Sequence, residues 1–211
     1  MQVIGDLAVA IQAGGESKRM GTSKALVPFL GKPLIMQAFE RLYPICSEMV
    51  ITTNEPEKMG FMEPYIASGK LRLISDDTDK RGALIGVHTA LQAVTKPFMS
   101  MVACDMVFPS PELIARLREV LVSTGADVAM PIGSKGIEPF HAVFRRETCL
   151  DAVEKALEAG DMRAVRWTEN VNRIDVDVSE LDAEGIRVNP FVNVNTMPEL
   201  RELEAWLASN R

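Results

Sequence analysis

The chain has 211 residues, of which 47% are hydrophobic and 25% charged, and its formal net charge is −6. This length allows one large hydrophobic core and is short for two independent ones, so we expect a single domain over residues 1–211. Acidic and basic residues are interspersed along the sequence, and there is no basic stripe that could neutralise a nucleic-acid backbone. We therefore expect no nucleic-acid partner.

The sequence shows no targeting signal or membrane span, and its cysteines have the pattern of reduced thiols. Its first residues lack the cationic region and the small-residue cleavage site of a signal peptide. No later stretch approaches the roughly 20 apolar residues of a bilayer-spanning helix, so we expect a cytoplasmic protein with no membrane partner. The widely spaced Cys46, Cys104 and Cys149 lie in apolar surroundings, which favours reduced core thiols over disulfides or a zinc site.

Apolar, β-rich runs alternate with helical patterns through the first two thirds of the chain. The predicted strands there are residues 7–12, 49–53, 71–75 and 98–103, and the predicted helices are 33–43, 84–94 and 111–123. This alternation predicts an α/β fold with a mostly parallel central sheet flanked by helices. Later strands at 141–144 and 173–176 and helices at 148–159 and 198–208 are predicted to form an elaboration on the sheet's edge.

A glycine-rich, basic segment (AGGESKRMGTSK, residues 13–24) directly follows the first predicted strand. Its glycines let backbone N–H groups approach phosphates, and Lys18, Arg19 and Lys24 carry charge that neutralises a triphosphate and departing pyrophosphate. The segment matches neither the P-loop nor the dinucleotide-binding pattern. An ordinary glycine turn is the alternative, but the ordered combination favours a phosphate cradle, the name used below for residues 13–24.

Asp105 follows the apolar strand predicted at residues 98–103 and so lies at the carboxyl end of a central strand. Ligands of open α/β sheets bind at this edge, and a lone carboxylate there suits Mg²⁺ that takes its other ligands from phosphates and water. The alternative role for Asp105 is to cap the helix predicted from residue 111, but the intervening residues 106–110 make that helix distant.

A second acidic run contains Asp76, Asp77 and Asp79. Asp77 and Asp79 are predicted to be solvated.

The run AGGESKRMG, followed by Lys24 and by GKPL at 31–34, resembles the signature of nucleotidyltransferases built on a Rossmann-like sheet, and most closely the molybdenum cofactor guanylyltransferases. The resemblance continues in the family's order through RGALIG at 81–86, ACDM at 103–106, EPFHAVF at 138–144 and FVNVNT at 191–196. It implies a nucleotide-binding part at about 5–130 and an acceptor-side elaboration at about 131–211.

The activity implied by the resemblance is transfer of GMP from GTP, with Mg²⁺, to the terminal phosphate of molybdopterin (Mo-molybdopterin). Pyrophosphate is released and the molybdopterin guanine dinucleotide forms. Other molybdenum cofactor biosynthesis proteins and molybdoenzyme apoproteins are the implied protein partners.

Particular residues receive roles from the same resemblance. The implied catalytic residues are Arg19, Lys24 and Asp105, with Asp105 as the Mg²⁺ ligand. The implied nucleotide-binding residues are Gln12, Ala13, Gly14, Gly15, Lys24, Asn54, Asp76, Gly82, Gly86 and Asp105. The implied acceptor-binding residues are His141, Asn193 and Asn195, with plain packing an equal alternative for His141. Asn193 and Asn195 alternate along a short predicted strand and would share one face, the alternative being an asparagine-rich turn.

The choice of base and of function class stays open at this point. Gln12 replaces the leucine usual in the family, and its amide offers both a donor and an acceptor to a base. A cytidylyltransferase or a sugar-phosphate nucleotidyltransferase is the alternative of the same fold. A non-catalytic nucleotide-binding module is the alternative of another class. His88, in an apolar predicted helix, is expected to be structural.

Overall fold

A computed structural model describes residues 2–13, 23–75, 82–178 and 189–209 of the chain. The strands in these ranges are β1 (Ile4–Gln12), β2 (Pro28–Phe29), β3 (Lys32–Pro33), β4 (Cys46–Thr52), β5 (Leu71–Ile74), β6 (Phe98–Ala103), β7 (Val128–Gly133), β8 (Gly136–Ile137), β9 (Val143–Arg145) and β10 (Arg173–Asp177). The α-helices are α1 (Ile35–Leu42), α2 (Glu63–Ala67), α3 (Ala83–Ala93), α4 (Pro111–Thr124), α5 (Arg146–Glu158) and α6 (Met197–Ser209). None of these helices is long and apolar enough to cross a membrane.

The central sheet has the strand order β10-β7-β9-β6-β1-β4-β5, with β8 paired to β7. Strands β1, β4, β5 and β6 are parallel, and β7 and β10 run the same way because β6 and β7 both pair antiparallel with β9. The prediction of a mostly parallel α/β sheet is confirmed. Since the parallel strands end on the same side, the loops that follow them gather at one edge, here named the carboxyl edge.

Strand β9 lies in the interior of the sheet, and the expectation that the last third only elaborates an edge is wrong. The chain reverses at the β7–β8 pair, so the returning β9 fits between β7 and β6. Val143 packs in the core on one face of the sheet and Phe144 in the core on the other. A strand buried on both faces belongs inside a sheet.

Two hydrophobic cores hold the helices against the sheet. Along β1, Leu7, Val9 and Ile11 face helices α1 and α4, whereas Ala8 and Ala10 face α3 and α5. All five residues are fully buried. Because the side chains alternate with a two-residue period, Gln12 at the end of β1 falls on the α3 face.

A third, smaller core, here named the C-terminal cluster, comprises Val27, Phe29, Leu34, Val107, Phe108, Val194 and Leu200. It joins the β2–β3 hairpin, the loop after β6 and helix α6. The hairpin turn has positive φ angles at Leu30 (50°) and Gly31 (79°), and the Leu30 N–H donates to Glu204 Oε1 at 2.7 Å. These contacts bring the C-terminal helix to the loop that carries Asp105.

The three cysteines are buried and unpaired, as the sequence predicts. Burial, reinforced by the neighbouring charge of Asp105, raises the pKa of the Cys104 thiol to about 12. A thiol with so high a pKa stays protonated at neutral pH and is a poor nucleophile. We therefore assign these cysteines to packing.

Candidate functional site

Three polar side chains from distant parts of the chain meet at the carboxyl edge. The Lys24 ammonium donates to Asp105 Oδ2 at 2.5 Å and to Asn195 Oδ1 at 2.8 Å. The side chains of Lys24 and Asp105 are only 16% and 18% exposed. The structure thus joins three residues that the sequence analysis had singled out separately.

Lys24 is the last residue of the phosphate cradle and the first of a short 3₁₀ helix, Lys24–Leu26. Ala25 is fully buried in the core on the α1 face, and Val27 packs in the C-terminal cluster. These two apolar anchors fix the backbone on either side of Leu26. Lys24 therefore starts from a fixed backbone position and extends its ammonium towards Asp105.

Asp105 sits in the turn that follows β6. Backbone bonds from Cys104 N to Gln12 O at 3.0 Å and from Met106 N to Ala103 O at 3.1 Å hold that turn against the end of β1. The carbonyl of Asp105 accepts from Val194 N at 3.1 Å. Asp105 does not cap helix α4, because the Ser110 hydroxyl does so by accepting from Leu113 N. The capping alternative is therefore wrong.

The second carboxylate oxygen of Asp105, Oδ1, is buried and has no hydrogen-bond partner among the described residues. A buried, unpaired carboxylate oxygen is costly unless something binds it. The described parts of the chain hold no group of three or more His, Cys, Asp or Glu side chains that could bind a metal ion, so side chains of these types there would give Mg²⁺ at most two ligands. That donor set fits Mg²⁺ bound chiefly through phosphates and water.

Asn193 and Asn195 lie in the extended segment before helix α6. Both are exposed and Val194 between them is buried, as the two-residue alternation predicts. The segment forms one antiparallel bridge, between Asn193 and Met106, and not a longer strand in the ranges that are described. The Asn195 amide meets the Lys24 ammonium that also binds Asp105, and Asn193 is exposed two residues earlier in the same segment.

Gln12 and Gly86 form the α3 side of the same edge. A Cβ atom at Gly86 would lie 2.0 Å from Gln12 Nε2, so the Gln12 side chain occupies the space that glycine leaves. Gly82 precedes α3 with φ 156° and ψ 165°, a region populated almost only by glycine. Ala13 is buried and donates its N–H to Thr52 O at 2.8 Å. The half-buried side-chain amide of Gln12 thus lies against the first turns of helix α3.

His141 is fully buried and neither ring nitrogen has a partner among the residues described. Its ring packs edge-on against Phe191, with centroids 5.1 Å apart. Desolvation lowers the pKa of His141 to about 3, so the ring is neutral at physiological pH. Of the two alternatives in the sequence analysis, packing describes this conformation, because the ring is fully buried.

His88 lies on α3 and its Nε2 is 3.4 Å from Glu154 Oε1 on α5. This contact links two helices on one face of the sheet. The structural role expected for His88 agrees with it.

The sequence model of one protein family, the MobA-like NTP transferase domain, matches residues 9–174 of this chain. The chain belongs to that family.

Individual relatives agree with this membership. A molybdenum cofactor guanylyltransferase from Desulfosudis oleivorans is 30% identical over 203 residues, which cover 95% of this chain and 96% of the relative. The structure of the molybdopterin-guanine dinucleotide biosynthesis protein A from Archaeoglobus fulgidus matches with a TM-score of 0.78 and 25% identity, over 96% of this chain and 99% of that one. The resemblance found in the sequence motifs is thus confirmed.

The fold of the family reaches further than its close relatives. The 4-diphosphocytidyl-2C-methyl-D-erythritol synthase from Anaerococcus prevotii matches with a TM-score of 0.70, over 96% of each chain, at only 13% identity. That likeness extends to the fold alone. Since one fold can carry different reactions, the reaction of this MobA-like transferase depends on the residues at its carboxyl edge.

Some of the residues predicted to act in this transferase lie in the described parts of the chain and others do not. Gly14, Gly15, Arg19 and Asp76 lie outside the described residues. Asn54 is exposed in the loop after β4, at the carboxyl edge beside the end of β1. The described nucleotide-binding candidates therefore border the ends of β1, β4 and β6 and the start of α3.

Two residues near the transferase site were missed by the sequence analysis. Thr52, the register partner of Gln12, has a buried hydroxyl without a partner among the described residues, and no sequence signal separates it from other strand threonines. Glu199 accepts from Asn195 N at 2.6 Å and Thr196 N at 3.2 Å. The Thr-x-x-Glu spacing of residues 196–199 is a capping-box pattern and would have predicted the second bond.

Proposed function

We propose that this protein transfers GMP from GTP to the terminal phosphate of molybdopterin, forming the molybdopterin guanine dinucleotide and pyrophosphate. One observation carries the proposal. Lys24, the last residue of the phosphate cradle, meets Asp105 and Asn195 at the carboxyl edge. The relatives of the chain include a molybdenum cofactor guanylyltransferase and a molybdopterin-guanine dinucleotide biosynthesis protein A. Such a paired cation and carboxylate suits a metal-bound triphosphate.

In the reaction, a terminal phosphate oxygen of the acceptor attacks the α-phosphorus of GTP in line. A new P–O bond forms, the bond between the α-phosphorus and the α–β bridging oxygen breaks, and its electron pair leaves with pyrophosphate. Because a phosphate monoester is mostly dianionic near neutral pH, the attacking oxygen needs no general base. Positioning and charge stabilisation are therefore the main tasks of the protein.

Lys24 would neutralise charge on the triphosphate and the departing pyrophosphate, together with Arg19 and the glycines Gly14 and Gly15 of the cradle. Asp105 would hold Mg²⁺ through its unpartnered Oδ1, and the ion would supply positive charge beside the reacting phosphates. Most of the surface of Lys24 and Asp105 is removed from water, which strengthens their electrostatic effect.

On the nucleotide side, Gln12 would contact the base from the space that Gly86 leaves. Gly82 would border the nucleotide at the start of α3, and Ala13, Asn54 and Asp76 would lie along its sugar and phosphates. On the acceptor side, the amides of Asn193 and Asn195 would bind molybdopterin. His141 is not included, because its ring is buried. We place the reaction in the cytoplasm, where the product would pass to molybdoenzyme apoproteins.

The test is pyrophosphate release with Mg²⁺ and each of the four ribonucleoside triphosphates, with and without Mo-molybdopterin. Release confined to GTP plus the acceptor supports the proposal. Release with CTP and not with GTP would support the same mechanism with cytosine as the base. Cytosine is a specific alternative because the Gln12 amide can hydrogen-bond to guanine or to cytosine. Nucleotide binding without turnover by any triphosphate would favour a binding module.

A further inference from the structure

The first turn of helix α6 is closed by reciprocal hydrogen bonds. Thr196 Oγ1 accepts from Glu199 N at 3.3 Å, and Glu199 Oε2 accepts in return from Thr196 N at 3.2 Å. Pro198 takes the second helical position, where it removes no helical hydrogen bond. This pattern is a capping box.

The box has an additional bond that its capping role does not require. Glu199 Oε2 also accepts from Asn195 N, at 2.6 Å, the shortest of the three contacts. Asn195 precedes the capping residue, and an ordinary capping box reaches back only as far as that residue's own N–H. The carboxylate therefore fixes the backbone of Asn195 as well as the helix end.

Asn195 connects this helix end to the candidate site. Its side-chain Oδ1 accepts from Lys24 Nζ at 2.8 Å, and the same ammonium donates to Asp105 Oδ2. On the other side of Asn195, Val194 is buried in the C-terminal cluster and donates its N–H to Asp105 O. Glu199 is thus the second of two anchors that hold the backbone from which the Asn195 amide reaches Lys24.

Glu199 itself is fully exposed and would otherwise be an ordinary surface carboxylate. Its bond from the Asn195 N–H is the main cause of a pKa below the usual value for glutamate, so the side chain is ionised at neutral pH. The side chain of Glu202, on the same helix, is also exposed and makes no hydrogen bond or ion pair with the described residues. It provides a matched control.

We propose that Glu199 is a positioning residue of this site, which acts through Asn195 to hold the Lys24 ammonium beside Asp105. The effect on Lys24 follows from the geometry alone, and only the effect on turnover rests on the proposed function. Without Glu199, the Asn195 N–H loses its acceptor and residue 195 is held from the Val194 side only. The amide then samples positions that do not meet Lys24.

The first experiment measures the environment of Lys24 without any substrate. Trace acylation of lysines by an amine-reactive ester, read by mass spectrometry, reports the accessibility of each ammonium, with the half-exposed Lys32 as internal reference. We expect Glu199→Ala and Asn195→Ala each to raise Lys24 labelling several-fold. In the double variant the Glu199 change should add nothing to Asn195→Ala. Glu199→Gln should restore part of the protection, and Glu202→Ala should leave labelling unchanged.

Thr196→Ala separates positioning from helix capping. It removes the hydroxyl that caps Glu199 N but leaves the bond from Asn195 N to Glu199, so it should lower stability with little change at Lys24. Equal labelling increases in Thr196→Ala and Glu199→Ala would overturn the proposal, because the effect would then come from fraying of α6. Unchanged labelling in Glu199→Ala, or independent multiplicative effects with Asn195→Ala, would also overturn it.

Turnover provides the second measurement. We expect Glu199→Ala to lower kcat about tenfold with less than a threefold change in KM for the nucleotide, and Thr196→Ala to retain kcat within about threefold. Absence of turnover by the unaltered protein with every triphosphate would refute the proposed function, and the labelling result would still decide the role of Glu199.

Discussion

Replacing Gly86 with alanine tests whether Gln12 lies where the nucleotide binds. An added Cβ would lie 2.0 Å from Gln12 Nε2, 2.6 Å from Cδ and 3.2 Å from Cγ, so the amide must leave its position. The displaced atoms are the end of a flexible side chain, which can rotate away at little cost. Within helix α3, alanine is favoured over glycine by up to about 1 kcal/mol. We therefore expect Gly86→Ala to fold with unchanged or slightly higher stability.

Nucleotide affinity should nevertheless fall. If the Gln12 amide makes one hydrogen bond to the base, its displacement removes about 0.5–1.5 kcal/mol of binding energy, which corresponds to roughly two- to tenfold weaker binding. Isothermal titration with the triphosphate and Mg²⁺ measures this change, and urea unfolding measures stability in the same preparation. Gly5→Ala is a matched control, since that glycine has open space around it at the amino end of β1.

The double variant with Gln12→Ala isolates the cause. Without the long side chain, alanine at position 86 displaces no amide, so Gly86→Ala should add no further loss of affinity in that background. Full additivity of the two substitutions would refute the reasoning, because it would mean that Gly86 acts independently of Gln12, for instance by approaching the ligand with its own backbone.

Three other substitutions have expected outcomes. Asp105→Asn should lower turnover at least about 100-fold while the protein stays folded, and near-normal pyrophosphate release would contradict the role of that carboxylate. Leu30→Asn should raise the unfolding free energy by about 0.5–1 kcal/mol, because leucine at φ 50° is strained and asparagine tolerates this region; a lower urea midpoint would contradict it. Burial holds the pKa of His141 at about 3, below its ordinary value of 6.5, so its neutral form supports stability above pH 6.5 and that support declines as pH falls towards 3. Stability should then decrease more steeply between pH 7 and pH 5 than in His141→Leu, and parallel curves would exclude this cause.

Much of the fold follows from local pattern. The strand predicted at residues 98–103 coincides with β6, and helix α3 begins and ends within one residue of its predicted bounds. Both have continuous apolar runs that pack on the cores. The β2–β3 hairpin was not predictable in this way, because its strands have two residues each and its turn begins with leucine where asparagine is usual. Its stability comes from Phe29 in the C-terminal cluster and from Glu204, which lies far along the chain.

In the site too, the candidate residues could be predicted from the sequence, but the long-range contacts between them could not. Asp105 was predicted from its position after a strand and Lys24 from the glycine-rich, basic segment that it ends, whereas the roles of the two asparagines came from the resemblance to the family. The contacts themselves join residues 81 and 171 positions apart, which depend on strand order and on the docking of α6. Burial of His141 depends in turn on where Phe191 packs. No local pattern specifies such distances, so the sequence gives the candidate groups and only the fold pairs them.

The pairing of Lys24 with Asp105 bears on stability as well as on chemistry. Both side chains are mostly removed from water, and an ionised group in that setting is unfavourable without a partner. Without substrate, each compensates the charge of the other, and Asn195 gives the ammonium a second acceptor. A triphosphate that bound the Lys24 ammonium would leave the negative charge of Asp105 without a partner unless a cation accompanied the triphosphate. The same charge balance would therefore favour a nucleotide that arrives with its metal over either one alone.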